Sequence, residues 1–185
     1  MKIAIIGYGF VVKALKNGLK KNTTVYIVDP KLQTSIKDLK NFAPEVIFIC
    51  VPTPMREDSS QDISIVEQVI NEIMHLSLNC CLVLKSTVIP NHLKNLEKKN
   101  KNLVYNPEFL REKHADEDFI NSDLIIFGGP KESSEFLSKV YKNHTKCTNT
   151  NYVFTDIMSA SLIKYSINSF LSTKVTFFNE LHDLF

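Results

Sequence analysis

Runs of four to seven mostly apolar residues recur along the first two thirds of the chain, at 2–7, 24–29, 46–51, 82–86, 103–106 and 124–128. Near-continuous apolar runs of this length belong to strands buried on both faces of a parallel sheet. Between them, 10–20, 63–78, 90–98 and 132–143 have helix length and amphipathic character, and Pro90 stands where a helix start favours proline. Strand and helix in this alternation predict an α/β fold with a doubly wound, mainly parallel sheet. From 156 onward there is neither Gly nor Pro. Ile157, Ala160, Ile163, Ile167, Phe170, Leu171, Val175, Phe178 and Leu181 recur there at helical spacing. This predicts one long helix, apolar around so much of its circumference that something must cover it. The chain therefore divides into a sheet domain, 1–154, and a helical segment, 155–185. The polar stretches 58–62 and 98–102 read as surface loops.

Composition narrows the class. A chain of 185 residues can bury a core of its own. With 44% hydrophobic and 23% charged residues it is not of the disordered kind. A net charge of +2 is too small a field to argue for nucleic acid. No apolar run approaches the roughly 20 residues that span a bilayer, and the apolar start at 3–6 is too short for a signal peptide. Cys50, Cys80, Cys81 and Cys147 have neither a disulfide framework nor metal-ligand spacing. The expectation is a soluble cytoplasmic protein with reduced thiols, no metal, no membrane and no nucleic-acid partner.

The candidate chemistry lies where the strands end. The first strand runs into Gly7-Tyr-Gly-Phe-Val-Val12, close to the G-x-G-x-x-G fingerprint of dinucleotide-binding turns. The first glycine permits the tight turn, and the second lets a pyrophosphate approach the amides of the following helix, at Phe10 and Val11. Val12 replaces the third glycine, which should lift the helix slightly from the sheet without removing those amides. Asp29 closes the second strand twenty positions after Gly9, where a carboxylate would bind ribose hydroxyls and repel a 2′-phosphate. That favours NAD over NADP, and Lys31 tempers the discrimination; a plain turn residue before Pro30 is the other reading of Asp29. Val51-Pro-Thr-Pro54 with Thr53, Lys85-Ser-Thr-Val88 with Thr87, and the Asn106–Glu112 block with Glu108 and Glu112 all leave strand ends on one edge. On the long helix Lys164 and Asn168 share a face. Solvated polar residues are the plainer reading of that pair, and stabilisation of a substrate oxygen by charge and hydrogen bonding is the sharper one.

These residues together resemble the UDP-glucose/GDP-mannose dehydrogenase family, its UDP-glucose-oxidising members most closely. The resemblance rests on Gly7-Tyr-Gly-Phe-Val11, Val51-Pro-Thr-Pro54, Lys85-Ser-Thr-Val88, Asn106-Pro-Glu-Phe-Leu-Arg-Glu112 with Ala115 and Asp118, and Leu162-Ile-Lys-Tyr165 with Asn168, Phe170 and Asn179-Glu180. It implies a Rossmann-like NAD-binding domain followed by the start of a central dimerisation helix. The implied reaction is oxidation of a nucleotide-sugar primary alcohol to a carboxylate, with NAD as oxidant and a cysteine capturing the aldehyde stage. Carried over by motif, Gly7, Gly9, Phe10, Val11, Asp29, Lys31, Val51, Thr53, Thr87 and Glu112 fall on cofactor positions. Glu108, Phe109, Leu110, Lys164 and Asn168 fall on substrate positions. Thr87, Glu108, Glu112, Lys164 and Asn168 are the implied catalytic residues, Thr87 and Glu108 for water and proton transfer and Lys164 with Asn168 for charge on the substrate oxygen. The family's nucleophile segment, Gly-x-x-Cys followed by Pro-Lys-Asp, has no counterpart in these 185 residues.

The resemblance also implies a homodimer formed through the last helix and a role in nucleotide-sugar and polysaccharide metabolism. Two other functions fit the same residues. One is a single-step oxidoreductase of the β-hydroxyacid dehydrogenase type, which needs no cysteine. The other is a non-catalytic NAD-binding or dimerising module.

Overall fold

A computed structural model describes all residues from Met1 to Phe185. Its first half runs β1 (Lys2–Ile6), α1 (Phe10–Gly18), β2 (Thr24–Val28), α2 (Leu39–Phe42), β3 (Val46–Ile49), α3 (Ser64–His75) and β4 (Cys81–Leu84). The second half runs α4 (Pro90–Lys99), β5 (Leu103–Tyr105), α5 (Ala115–Ile120), β6 (Ile125–Gly128), α6 (Lys131–His144), β7 (Tyr152–Thr155) and α7 (Ile157–His182). All six strands expected from the apolar runs form, each a little shorter than its run. The edge strand β7 and the short helices α2 and α5 are additions, and residues 98 and 99 belong to the last turn of α4 rather than to a loop.

The strands form one sheet in the order β2-β1-β3-β4-β5-β6-β7. Every pair is parallel except β5 and β6, which meet antiparallel at Tyr105 and Gly128. Order reverses at β1, with β2 on one side and β3 on the other. A crevice therefore opens between the carboxyl ends of β1 and β3, the position where such sheets hold ligands.

Alternation along the strands sends side chains to two cores. Ala4, Ile6, Ile47, Ile49, Leu82 and Leu84 pack with Val66 and Ile70 of α3 and Leu93 and Leu96 of α4. Ile3, Ile5, Phe48 and Val83 pack with Val12 and Leu15 of α1, Phe119 of α5, and Leu137 and Tyr141 of α6. Because β3, β4, β5 and β6 are buried along their whole length, polar chemistry is pushed past their ends.

Helix α7 begins inside the first core and leaves it. Asp156 caps its first turn, accepting a hydrogen bond from the Ser159 amide at 2.8 Å. Ile157, Ala160, Ser161 and Lys164 are buried, whereas Phe170, Leu171, Val175, Phe177 and Phe178 are all more than half exposed. The cover expected from its sequence is thus present over two turns only. The helix approaches β6 so closely that a methyl group added at Gly128 would lie 2.4 Å from the Ala160 Cβ and 2.9 Å from the Asp156 carbonyl oxygen. Gly128→Ala is therefore expected to lower stability by about 1–3 kcal/mol in urea unfolding, and an unchanged midpoint would show that this close approach is not maintained.

Candidate functional site

The turn after β1 assigns its two glycines different tasks. Gly7 has φ +113°, a conformation L side chains rarely adopt, and an added Cβ would meet the Cys50 carbonyl oxygen at 2.5 Å. Its amide donates to the Val28 carbonyl at 2.8 Å, closing β1 onto β2. Gly7 is required by the fold. Gly9 caps α1 with φ −81°, a value open to any residue, and an added Cβ would meet nothing within 4 Å. No side chain caps α1 and no acid lies in its first turn, so that turn retains donors and a partial positive charge for an anion. Nothing in the protein requires glycine at position 9; a group approaching from outside would. Val12, at the third fingerprint position, is fully buried.

At the end of β2 the turn reading of Asp29 is seen directly, at one of its two oxygens. Oδ1 accepts from the Lys31 amide at 2.9 Å and caps the short turn Pro30–Leu32. Oδ2 has no protein partner. Lys31 itself is exposed.

The loops after β3 and β4 are tied to each other. Ser86 Oγ donates to the Val51 carbonyl at 2.6 Å, and Thr53 Oγ1 donates to the Thr87 carbonyl at 2.8 Å. The Thr53 hydroxyl is thereby committed to holding the backbone, whereas the Thr87 hydroxyl has no protein partner. Gln61, which no motif singled out, donates from Nε2 to the same Thr87 carbonyl at 2.8 Å and accepts from the Ile89 amide at 3.0 Å.

After β5 the Asn106–Glu112 segment is held at both ends. Lys85, buried at the end of β4, donates to Asn106 Oδ1 at 3.0 Å and to the Asn106 carbonyl at 3.2 Å. Tyr141 donates to the same Oδ1 at 2.5 Å, and Asn106 Nδ2 donates to the Ile126 carbonyl at 2.8 Å. Burial pushes the Lys85 amine down and the Tyr141 hydroxyl up from their ordinary ranges. At the other end Arg111 grips Asp118 through its backbone amide (2.8 Å), Nε (3.1 Å) and Nη2 (2.7 Å). Those bonds hold the Asp118 carboxyl down to about 2.

Between these anchors, Lys164 of α7 meets Glu108. Lys164 Nζ donates to the Glu108 carbonyl, lies 3.3 Å from Glu108 Oε1 and sits 5.0 Å from the centre of the Phe109 ring. Glu108 Oε2 accepts from the Leu110 amide at 2.7 Å. The two charged side chains are only 4% and 13% exposed, so this is not the solvated lysine of the plainer reading. Asn168, one turn further along, is exposed and has no partner, and Glu112 and Phe10 are exposed at the rim. The fold therefore joins Glu108, Phe109 and Lys164 in one cluster and Thr53 with Thr87 in another. Asn168, Glu112 and Lys31 are left unengaged. Sequence reading missed Gln61, Lys85, Asn106 and Tyr141 as fasteners of these loops. A lysine directly after Leu82-Val-Leu84 was the one local sign of the Lys85 network.

Residues 17–145 match the family described as UDP-glucose/GDP-mannose dehydrogenase, NAD binding domain. A UDP-glucose 6-dehydrogenase of Rickettsia bellii is 42% identical over 156 residues, covering 80% of this chain and 35% of the relative. One of Rickettsia conorii is 36% identical over 183 residues, covering 95% and 39%. Among solved structures, a UDP-glucose dehydrogenase from Pyrobaculum islandicum superposes with TM-score 0.76 at 25% identity, covering 97% of this chain and 52% of that one. A GDP-mannose dehydrogenase from Pseudomonas aeruginosa gives TM-score 0.78 at 23% identity with the same coverage, a likeness of fold. The chain spans little more than a third of the length of these sequence relatives and about half of these solved chains.

The Arg111–Asp118 clamp has a pH signature. A carboxyl whose folded pKa lies below its unfolded one adds stability that is fully present above about pH 4 and is lost as pH falls toward 2. Asp118→Asn is expected to lower the unfolding midpoint at neutral pH and to flatten the acid limb between pH 4 and 2. An acid limb as steep as that of the parent would mean that the clamp does not form.

Proposed function

The chain belongs to the UDP-glucose/GDP-mannose dehydrogenase family as an NAD-binding domain, and on that premise we propose that it supplies the cofactor half of an enzyme that oxidises UDP-glucose to UDP-glucuronate. Residues 1–154 form the cofactor unit in this reading and 155–185 the central helix. The observation that carries it is the open space around Gly9 at the uncapped start of α1. A pyrophosphate needs close backbone approach and free amides, and no internal contact accounts for a glycine there.

The residues present fit NAD. Gly7, Gly9, Phe10 and Val11 would hold its pyrophosphate, and the unpartnered Oδ2 of Asp29, beside Lys31, would take the ribose hydroxyls. Val51, Thr53, Thr87 and Glu112 would line the path between β3, β4 and the rim. Bound there, NAD supplies an acceptor for the hydride leaving the sugar alcohol carbon. The chain's own groups act on the other partner of that exchange. The Lys164 ammonium, with Asn168 one turn away, stabilises negative charge on the substrate oxygen, strongly so because the lysine is shielded from water. Glu108 and the free hydroxyl of Thr87 hold or move protons and order water. The Phe109 and Leu110 backbone faces the sugar nucleotide. Lys164 is also shared with Glu108, so substrate must compete for it.

Capture of the aldehyde by a thiolate is assigned to none of the four cysteines here. Burial pushes the Cys50 and Cys81 thiols up to about 12 and Cys80 to about 11, and it raises Cys147 as well. A nucleophile requires the opposite shift. The apolar side chains along the outer half of α7 support the proposal that two copies pair through this helix.

Titration with NADH tests the cofactor site. The parent is expected to bind, and Gly9→Val to bind at least about tenfold more weakly, a loss of about 1.4 kcal/mol, at an unchanged melting temperature. Gly7→Val is expected to lose stability instead. Equal affinity of Gly9→Val and the parent would overturn the assignment of the pyrophosphate to this turn. Incubated with UDP-glucose and NAD, the 185-residue protein is expected to release no UDP-glucuronate, and a measured yield would contradict the reading of its cysteines.

A further inference from the structure

The chain from Thr87 to Ile89 leaves β4 before α4 begins, so no sheet ladder pairs its backbone groups. The side chain of Gln61 takes that place. Its Nε2 donates to the Thr87 carbonyl at 2.8 Å, and its Oε1 accepts from the Ile89 amide at 3.0 Å. One side-chain amide thus satisfies an acceptor and a donor two residues apart, as a neighbouring strand would. The same Nε2 lies 3.4 Å from the hydroxyl of Tyr165, the residue after Lys164 on α7. Gln61 is itself fixed by its own loop. It bridges to Met55 in an antiparallel pairing, the Asp62 amide donates to the Pro54 carbonyl at 2.8 Å, and Arg56 pairs with Asp62 at 3.1 Å.

Resting on the cofactor reading above, we propose that Gln61 is a positioning residue. It fixes the backbone that carries Thr87 and couples that loop to the helix that carries Lys164. Only an amide suits all three contacts. A carboxylate keeps the acceptor for Ile89 but sets an unprotonated oxygen against the Thr87 carbonyl and offers Tyr165 no donor; an aliphatic chain offers neither. With its carbonyl held by both Gln61 and Thr53, Thr87 keeps its backbone fixed while its hydroxyl remains free for a ligand. A second tie reinforces the link to α7, since Ser161 Oγ donates to the Val88 carbonyl at 2.7 Å. The cofactor side and the lysine side of the site are therefore joined through residues 61, 87–89, 161 and 165, of which Gln61, Ile89 and Ser161 lie outside the motifs named above.

The test uses the 185-residue chain with Gln61→Glu, Gln61→Met and Tyr165→Phe. It reads NADH affinity, melting temperature, and the backbone amide shifts that NADH induces at 161–168. Both Gln61 variants are expected to weaken NADH several-fold more than Tyr165→Phe does, and all three to shrink the induced shifts along α7. Tyr165→Phe keeps the ring and the core packing, so it carries the coupling readout even where a Gln61 variant fails to fold. A drop in melting temperature with parental affinity and parental shifts would reduce Gln61 to a structural role and overturn the inference. Should the parent itself fail to bind NADH, the cofactor reading falls first and this inference with it; parental binding with unaltered variants overturns this inference alone.

Discussion

The structure depends on one constraint: four adjacent strands are buried along their whole length, so they can carry no chemistry themselves. Unpaired polar groups inside such a sheet cost more than the fold can spare. The hydroxyls, amides and charges are displaced past the last residues of the parallel strands β3, β4 and β5, onto a single edge. Parallel pairing then aligns the ends of β1, β3, β4 and β5, and the reversal of strand order at β1 opens a crevice among them. Lys85 is the instructive exception. It is an amine inside the protein, accommodated because Asn106 and Tyr141 surround it with oxygen atoms. The same contacts fix the start of the loop that bears Glu108.

The loop after β5 shows how a segment without ladder bonds is made definite. It is fastened at Asn106 from below, at Arg111 by the bidentate grip of Asp118, and in the middle by Lys164 reaching from α7. The middle contact differs from the other two. The outer fasteners join groups with no further proposed task, whereas Lys164 and Glu108 satisfy each other and are also the groups to which the proposal assigns the substrate oxygen.

Much of the fold was legible because burial on both faces leaves a strong mark. Six strands, four amphipathic helices and the long terminal helix followed from apolar runs and periodicity. Strand β7 left no such mark, since Val153 and Phe154 are exposed on the sheet edge and polar residues lead into it. Helix α5 buries only Ala115 and Phe119 amid three acids, too few positions for a period to show. Local demands were legible too: Gly7 stands at a turn that needs its positive φ, and Asp29 caps the turn that Pro30 opens. The depth of Lys164 could not be read from its own helix, because it is set by how α7 crosses the ends of β5 and β6. Gln61 and Lys85 were illegible for a related reason: their partners lie 26 and 21 residues away in sequence and are brought near only by the sheet.

The most direct test of the central claim is a crystal structure of this chain with NADH. The pyrophosphate is expected on the first-turn amides of α1 at Gly9–Val11, with the adenosine ribose on Asp29 Oδ2 and the Lys31 turn undisturbed. Density for the cofactor away from the β1–β3 crevice, or a pyrophosphate that leaves the amides after Gly9 unpaired, would contradict it.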